Sequence, residues 1–333
     1  MTHVLHLGHQ PADLAGVTST NISTDAEGFD PDLDVNCLKF VGNEDTSQPF
    51  SFGFDAPAGD LWFQFRMRTP DDDRVGFEYN YDPIVSFHNG EELIGRLVGD
   101  DGSGDTIYVE AHGDSTVEGS SSYTLGTALT VWVDIRVSVG SDITIEFYAD
   151  GVLQSSATAA NTGGKGKPTH ITFNNPSQTW YSINVTWYIA HLAVLDGVST
   201  INRRFARQTP NTLGSYDQWS GDIASLGDGD ILTRMTSDAA GQRQNVTLTG
   251  PTGPTGAPIS GVHLKAVAQA GTSGPGSLAG SLRIGTTDYD EASVSLNSDV
   301  PGKAIFSWDQ NPDTSAAWTD ADLPDEIGLL SAT

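Results

Sequence analysis

Retaining cleavage of a glycosidic bond needs two carboxyl groups roughly 5 Å apart, and on a β-strand two acids share a face when their positions differ by two. Three acids sit in strand-like surroundings: Glu110 in YVEAH, Asp134 in WVDIRV and Glu146 in TIEFYAD. None has a same-face acid two residues away; the neighbours at that spacing are Tyr108 and His112, Trp132 and Arg136, Thr144 and Tyr148. All three acids are therefore read as structural. The run Asp100-Asp101-Gly-Ser-Gly-Asp105 places hard oxygens at Asp101, Ser103 and Asp105, the first half of a calcium loop, but the twelfth position, where a closing glutamate belongs, is His112. It is open to two readings, a calcium site or a solvated turn; Asp71 to Asp73 and Asp228-Gly-Asp230 are weaker versions of the same pattern. No other cofactor is implied.

His3, His6 and His9 recur at regular spacing, and imidazole is a common metal ligand. On a strand, residues three apart point to opposite faces, so the trio converges only across a bend or a symmetry axis; otherwise these are strand and terminus residues. Trp180 and Tyr181, in PSQTWY beside a turn, could stack on a sugar ring, with core packing as the alternative; Trp187 and Tyr188 fall on opposite faces of one strand. GPTGPTGAP at 250–258 holds three collagen-like triplets, too few to trimerise a chain, and reads as a polyproline-like loop. Nothing matches a Ser/His/Asp triad, a phosphate loop or a dinucleotide fingerprint. The single cysteine, Cys37, rules out an intrachain disulfide and any one-chain zinc site needing two thiolates.

The elements that would carry these residues are strands. VWVDIRVSVG and ITIEFYADGVLQ alternate around an Asp-Gly turn, and LWFQFRMR sets Leu61, Phe63, Phe65 and Met67 on one face against Trp62, Gln64, Arg66 and Arg68 on the other. THVLHL and VNCLKF are further strands, and Phe77 and Tyr79 mark another. Asn89-Gly90 and Asp150-Gly151, between apolar runs, predict tight hairpins. After the linker-like Arg-rich stretch at 202–214, read as linker or one helical turn, weaker strands are expected at 244–249, 262–269, 278–284, 294–296 and 304–308. Thr319 is placed to cap a short helix or turn beginning at Asp320 and limited by Pro324.

Composition agrees. Of 43 acids only 10 are Glu, and Asp with 37 Gly suits turns better than helix interiors. The net charge of −27 is spread along the chain, with 15 acids and 6 bases after residue 205. Such a surface repels nucleic acid and anionic membranes and tolerates salt, and it is open to two readings, a marine or halophilic setting or simply an acidic surface. The opening MTHVLHLGHQPADLAG has no cationic segment before a long apolar run, so no signal peptide is expected, and no stretch reaches transmembrane length.

Between Val131 and Gly197 the chain resembles the laminin-G or concanavalin-like lectin sandwich. The residues that carry the match are Trp132 with Val137, the YADG of 148–151, and WYIAHLAVLD at 187–196. The resemblance implies a module that usually binds and only sometimes cuts, and whose loop tips often hold calcium. A second resemblance runs through DQWSG (217–221), LGDGD (226–230), TSDAAGQ (236–242), VHLKAVAQA (262–270) and DTSAAWTDADL (313–323), after a junction HLAVLDGVSTINRRF. These look like the closing module of structural proteins of tailed bacteriophages. The expectation is thus an all-β chain: a concanavalin/laminin-G-like jelly roll over 1–205, a linker at 206–215 and a smaller β-sandwich over 216–333. The implied role is a non-enzymatic virion component, at the tail tip, a fibre or the capsid surface, serving assembly and host-surface glycan recognition. Its partners would be other virion proteins, copies of itself and host glycans, with no nucleic acid and no membrane insertion. The alternatives are a carbohydrate-binding adhesin and a glycan-degrading virion enzyme whose carboxylates converge from different strands.

Overall fold

The structure is a computed structural model that describes residues 4–8, 22–25, 37–41, 50–68, 82–100, 106–126, 129–173, 186–227, 232–250, 256 and 258–332. The chain is all-β, and every strand pair is antiparallel. The described residues up to Arg204 form one compact unit and those from Phe205 another.

The first unit contains β1 (Val4–Gly8), β2 (Ile22–Asp25), β3 (Cys37–Val41), β4 (Phe50–Gly53), β5 (Leu61–Arg68), β6 (Asp82–Asn89), β7 (Glu92–Asp100), β8 (Thr106–His112), β9 (Thr116–Glu118), β10 (Tyr123–Thr124), β11 (Thr130–Val139), β12 (Asp142–Ala149), β13 (Val152–Ala160), β14 (His170–Phe173) and β15 (Thr186–Asp196). They build two sheets. An eight-stranded sheet runs β13-β12-β11-β5-β15-β3-β2 with β1 beside β15, and a seven-stranded sheet runs β10-β8-β7-β6-β14-β4 with β9 beside β8. The jumps from β5 to β11 and from β6 to β14 are the long connections of a jelly roll. Period-two burial positions the core between the sheets: Leu61, Phe63, Phe65 and Met67 are fully buried, as their spacing predicts. Phe63 meets Phe87 and Phe173 of the facing sheet edge-on, with ring centroids 6.0 and 5.7 Å apart. Each such ring removed from water stabilises the fold by about 2–3 kcal/mol.

Both hairpins form, the first with its turn one residue later than expected, at Gly90–Glu91, because Asn89 is still in β6 and pairs with Glu92. Asp150 and Gly151 take φ of 48° and 80° between β12 and β13, the two positive values that a tight two-residue turn requires and that glycine reaches without strain. The expected solvent side of β5 and β11 differs from the alternation. Gln64 and Asp134 are both 0% exposed, because residues 200–204 lie across that face. Gln64 Nε2 donates to Asp134 Oδ1 at 2.7 Å and to the carbonyls of Thr200 and Arg203, while the Arg204 guanidinium lies 3.9 Å from the centroid of the Trp132 ring.

The second unit contains β16 (Thr209–Asp217), β17 (Arg243–Thr249), β18 (Val262–Ala268), β19 (Ser277–Ile284), β20 (Thr287–Asp290), β21 (Val294–Ser295), β22 (Gly302–Trp308) and β23 (Glu326–Ala332). One sheet runs β16-β17-β23-β19-β20 with β21 beside β19, and β18 pairs with β22 in another. Val246, Leu278, Leu282, Phe306, Trp308, Trp318 and Ile327 form the core between them. The layers approach so closely that a Cβ on Gly280 would lie 2.4 Å from the Phe306 ring. The linker expected at 206–215 is corrected, since most of it lies in β16, paired to β17. Thr319 does precede a 3-10 turn, Asp320–Asp322, but its hydroxyl donates to the Asp322 carboxylate instead of accepting from a backbone N–H.

Candidate functional site

On the seven-stranded sheet, alternation sends Val85, Phe87, Leu97, Val109, Ile171 and Phe173 into the core and the residues between them to the opposite face. Strand register then aligns one polar residue from each of six strands. Glu118 pairs with Glu110, Glu110 with Arg96, Arg96 with Ser86, Ser86 with Thr172, and Thr172 with Ser51. Five inter-strand spacings make this row roughly 24 Å long. A second row beside it carries Thr116 opposite His112, and His88 opposite His170.

The side chains are tied together. Arg96 Nε donates to Glu110 Oε2, and His112 Nε2 lies 3.0 Å from the same oxygen. His112 Nδ1 lies 3.2 Å from the Thr116 hydroxyl, and the Ser51 and Thr172 hydroxyls are 2.6 Å apart. The His88 and His170 rings stack at 4.9 Å with planes 10° apart. Burial favours the neutral form of Glu110, but the bonds from His112 and Arg96 together outweigh it and hold the carboxyl below its usual range. Burial, then the neighbouring His170 and His112, pushes His88 below the ordinary histidine value; burial does the same to His170. Lys165 Nζ donates to the carbonyls of Leu93 and His112, at 3.0 and 2.8 Å, and braces the ends of β7 and β8.

This arrangement is a guanidinium and three imidazoles, with Arg96 and His112 held by the buried, ionised Glu110, on a face edged with hydroxyls. It suits an elongated ligand rich in hydroxyl groups. A carboxyl held ionised is a poor general acid. Glu118, opposite Glu110 on the next strand, is the same-face acid that no spacing within one strand could show.

Of the residues singled out from sequence, Asp101, Ser103, Asp105, Trp180, Tyr181, His3 and His9 lie outside the described residues, as do Asp71 to Asp73, Phe77, Tyr79, Asp228 to Asp230, most of the 250–258 triplets and the Trp187 side chain. His6 is 1% exposed and stacks on Phe52 at 4.0 Å, a core position. Among the described residues, no group of three His, Cys, Asp or Glu is arranged to hold a metal ion. Glu110 belongs to the polar face, Asp134 is buried beneath residues 200–204, and Glu146 lies on the other sheet. Arg96, His88, His170 and Glu118 were not singled out. They come from four strands, and each looks like an ordinary solvent-side residue in its own run.

No protein-family model matches the chain, and no curated protein matches it. Among solved structures, the chain is similar to Cellulose induced protein, Cip1, at 15% identity and a TM-score of 0.40, covering 54% of this chain and 86% of that one. It is also similar to the endo-beta-1,4-glucuronan lyase of the fungus Trichoderma reesei, at 11% identity and a TM-score of 0.43, covering 58% and 94%. A third is domain 4 of AbnA, a GH43 extracellular arabinanase of Geobacillus stearothermophilus, at 11% identity and a TM-score of 0.35, covering 57% and 81%.

Proposed function

We propose that the chain is a non-enzymatic, glycan-recognising structural protein of a tailed-phage particle, with the polar row of the jelly-roll unit as its saccharide site. The observation that carries the binding part is the locked Arg96–Glu110–His112 group in the middle of the row. The buried Glu110 carboxylate preorganises Arg96 and His112, so binding hydroxyls costs little side-chain ordering. The acidic surface directs the site toward neutral or weakly charged saccharides. The particle part rests on the motif resemblance of 217–323, with assembly through contact area as the role of the second unit. A glycan array probed with the full chain and with Arg96→Gln tests the binding part: a defined set of glycans is retained by the first and lost by the second. Binding to nothing on the array, or identical binding by both, rejects it. Locating the chain in an image of a whole particle tests the other part, and its absence from the particle rejects that.

One observation favours a second reading, a glycan-cleaving virion enzyme: Glu118 stands directly opposite Glu110. Cross-strand partners of this kind have Cβ atoms about 5 Å apart, within range of a retaining carboxylate pair. New reducing ends released from a host polysaccharide, and lost in Glu118→Gln, would establish it in place of the first.

A further inference from the structure

The outer face of the eight-stranded sheet carries a second constellation, on different residues from the polar row. Arg136 on β11 is the direct register partner of Trp62 on β5 and of Glu146 on β12. Its Nε and Nη2 donate to Asp60 Oδ2 at 2.8 and 2.6 Å, and its Nη1 donates to Glu146 Oε2 at 3.1 Å. The Tyr148 hydroxyl donates to the same Glu146 oxygen at 2.9 Å, and the Trp62 and Tyr148 rings lie 5.9 Å apart, tilted by 33°. All five residues are neither buried nor fully exposed. This is a tilted pair of aromatic rings beside a fork of charged groups that already hold one another in place.

The scaffold around Asp60 is rigid. The Asp196 carboxylate accepts from the backbone N–H groups of Ala58 and Gly59, at 2.9 and 2.6 Å. Lys167 Nζ donates to the carbonyls of the same two residues, and Gly197 N donates to the Asp60 carbonyl at 2.8 Å. A Cβ on Gly59 would lie 2.7 Å from Gly197 Cα, so the two turns interlock. Each carboxylate spends one oxygen on Arg136. Among the described residues, Asp60 Oδ1 and Glu146 Oε1 are left as acceptors on either side of a guanidinium whose remaining N–H groups are donors. Alternating donors and acceptors match the vicinal hydroxyls of a sugar, and an indole face matches the C–H face of a pyranose.

We propose that Trp62, Tyr148, Arg136, Asp60 and Glu146 form a saccharide-binding platform for neutral hexoses, with the ring on Trp62 and its hydroxyls on Asp60, Glu146 and Arg136. Two carboxylates beside the platform disfavour acidic sugars, which fixes the ligand class. Tyr148, pushed up to about 12 by burial and by its bond to Glu146, stays a neutral donor at any physiological pH. The platform goes beyond the polar row, and because it uses other residues on the other sheet, either site can fail while the other stands.

The test is isothermal titration of the full chain with three neutral probes, cellotetraose, maltotetraose and mannotetraose, each taken to millimolar concentration. At least one should bind saturably. Trp62→Leu, which keeps an apolar side chain without an aromatic face, should weaken it at least tenfold, and Arg136→Lys, which keeps the charge and loses the fork, at least fivefold. Circular dichroism of each variant establishes that it is folded. If none of the probes binds the unsubstituted chain, or if either folded variant keeps its affinity, the proposal is overturned.

Discussion

His112 Nε2 lies 3.0 Å from the carboxylate of Glu110, two residues away on the same strand, and Arg96 reaches the same oxygen from the neighbouring strand. The Glu110 side chain is only 3% exposed, so its charge is compensated by these two groups more than by water. Glu110→Gln removes the charge and keeps the shape. It should lower stability by about 1–3 kcal/mol at pH 7, read from urea unfolding. A carboxyl whose folded pKa lies below its unfolded value contributes stability above the unfolded value and loses it as pH falls through the folded one. The gap between the two proteins should therefore be full above pH 4.5 and shrink below it. An equal gap at pH 7 and pH 3 would show that the bonds from Arg96 and His112 contribute nothing.

His88 and His170 carry the opposite base chemistry. Both are held below the ordinary value of 6.5, so the folded protein takes up protons less readily there than the unfolded chain. Stability is then complete above pH 6.5 and declines as pH falls toward the folded values. His170→Asn removes one of the two titrating rings and should flatten the dependence of the melting temperature on pH between 7 and 5. Parallel curves for the two proteins would mean that the stacked pair does not titrate differently in the folded state.

In the second unit His263 is pushed down to about 4 by burial, against 6.5 ordinarily, and its Nδ1 lies 2.9 Å from the Ser307 hydroxyl. Keeping it neutral against acid costs ~3 kcal/mol once the pH is below 4. With the slower intrinsic exchange at pH 5 divided out, residues 262–268 and 302–308 should show an excess of opening, that is lower protection, at pH 5 relative to pH 7. In His263→Gln that excess should vanish; its persistence would assign the acid sensitivity elsewhere.

The closeness of the two layers of the second unit is testable with a single methyl group. A Cβ on Gly280 would lie 2.4 Å from the Phe306 ring, whereas one on Gly276 would meet nothing within 4 Å. Gly280→Ala should cost about 1–3 kcal/mol and Gly276→Ala less than about 0.5 kcal/mol, measured in guanidinium. Equal effects would mean that Phe306 can move aside.

What the sequence could show follows the same division. The faces of β5 were legible because Leu61, Phe63, Phe65 and Met67 alternate over a long run, and one buried face accounts for all four. β16 was not. Its residues TPNTLGSYD contain a proline and a glycine and bury no side chain fully; the strand is held by pairing with β17 and by the Glu326 carboxylate, which accepts from Ser215 N at 2.9 Å. β23 was hidden by Gly328, where a Cβ would meet Asn245 Oδ1 at 2.3 Å, so a break in the apolar pattern is a packing requirement. The polar row was illegible for a different reason. Glu118, Glu110, Arg96, Ser86, Thr172 and Ser51 are neighbours only through register across six strands, which long connections set and local alternation does not.

Asp134 was the clearest case of a right alternation with a wrong environment, and its pH behaviour should oppose that of Glu110. Burial beneath residues 200–204 raises its pKa, despite the bond from Gln64 and the nearby Arg204 charge. For an acid with a raised folded value, the folded state holds its proton more tightly than the unfolded chain, so stability falls as pH rises from 3.8 through the folded value. Asp134→Asn stays neutral throughout, and its side-chain oxygen can still accept from Gln64. At pH 7 it should be the more stable protein, with the advantage disappearing toward pH 3, whereas Glu110→Gln should be the less stable at pH 7. Calorimetry of both variants at the two pH values reads the signs directly. If Asp134→Asn proves less stable at pH 7, the attraction of Arg204 for the carboxylate exceeds the cost of its burial, and the layer formed by residues 200–204 is held by charge instead of by amide hydrogen bonds.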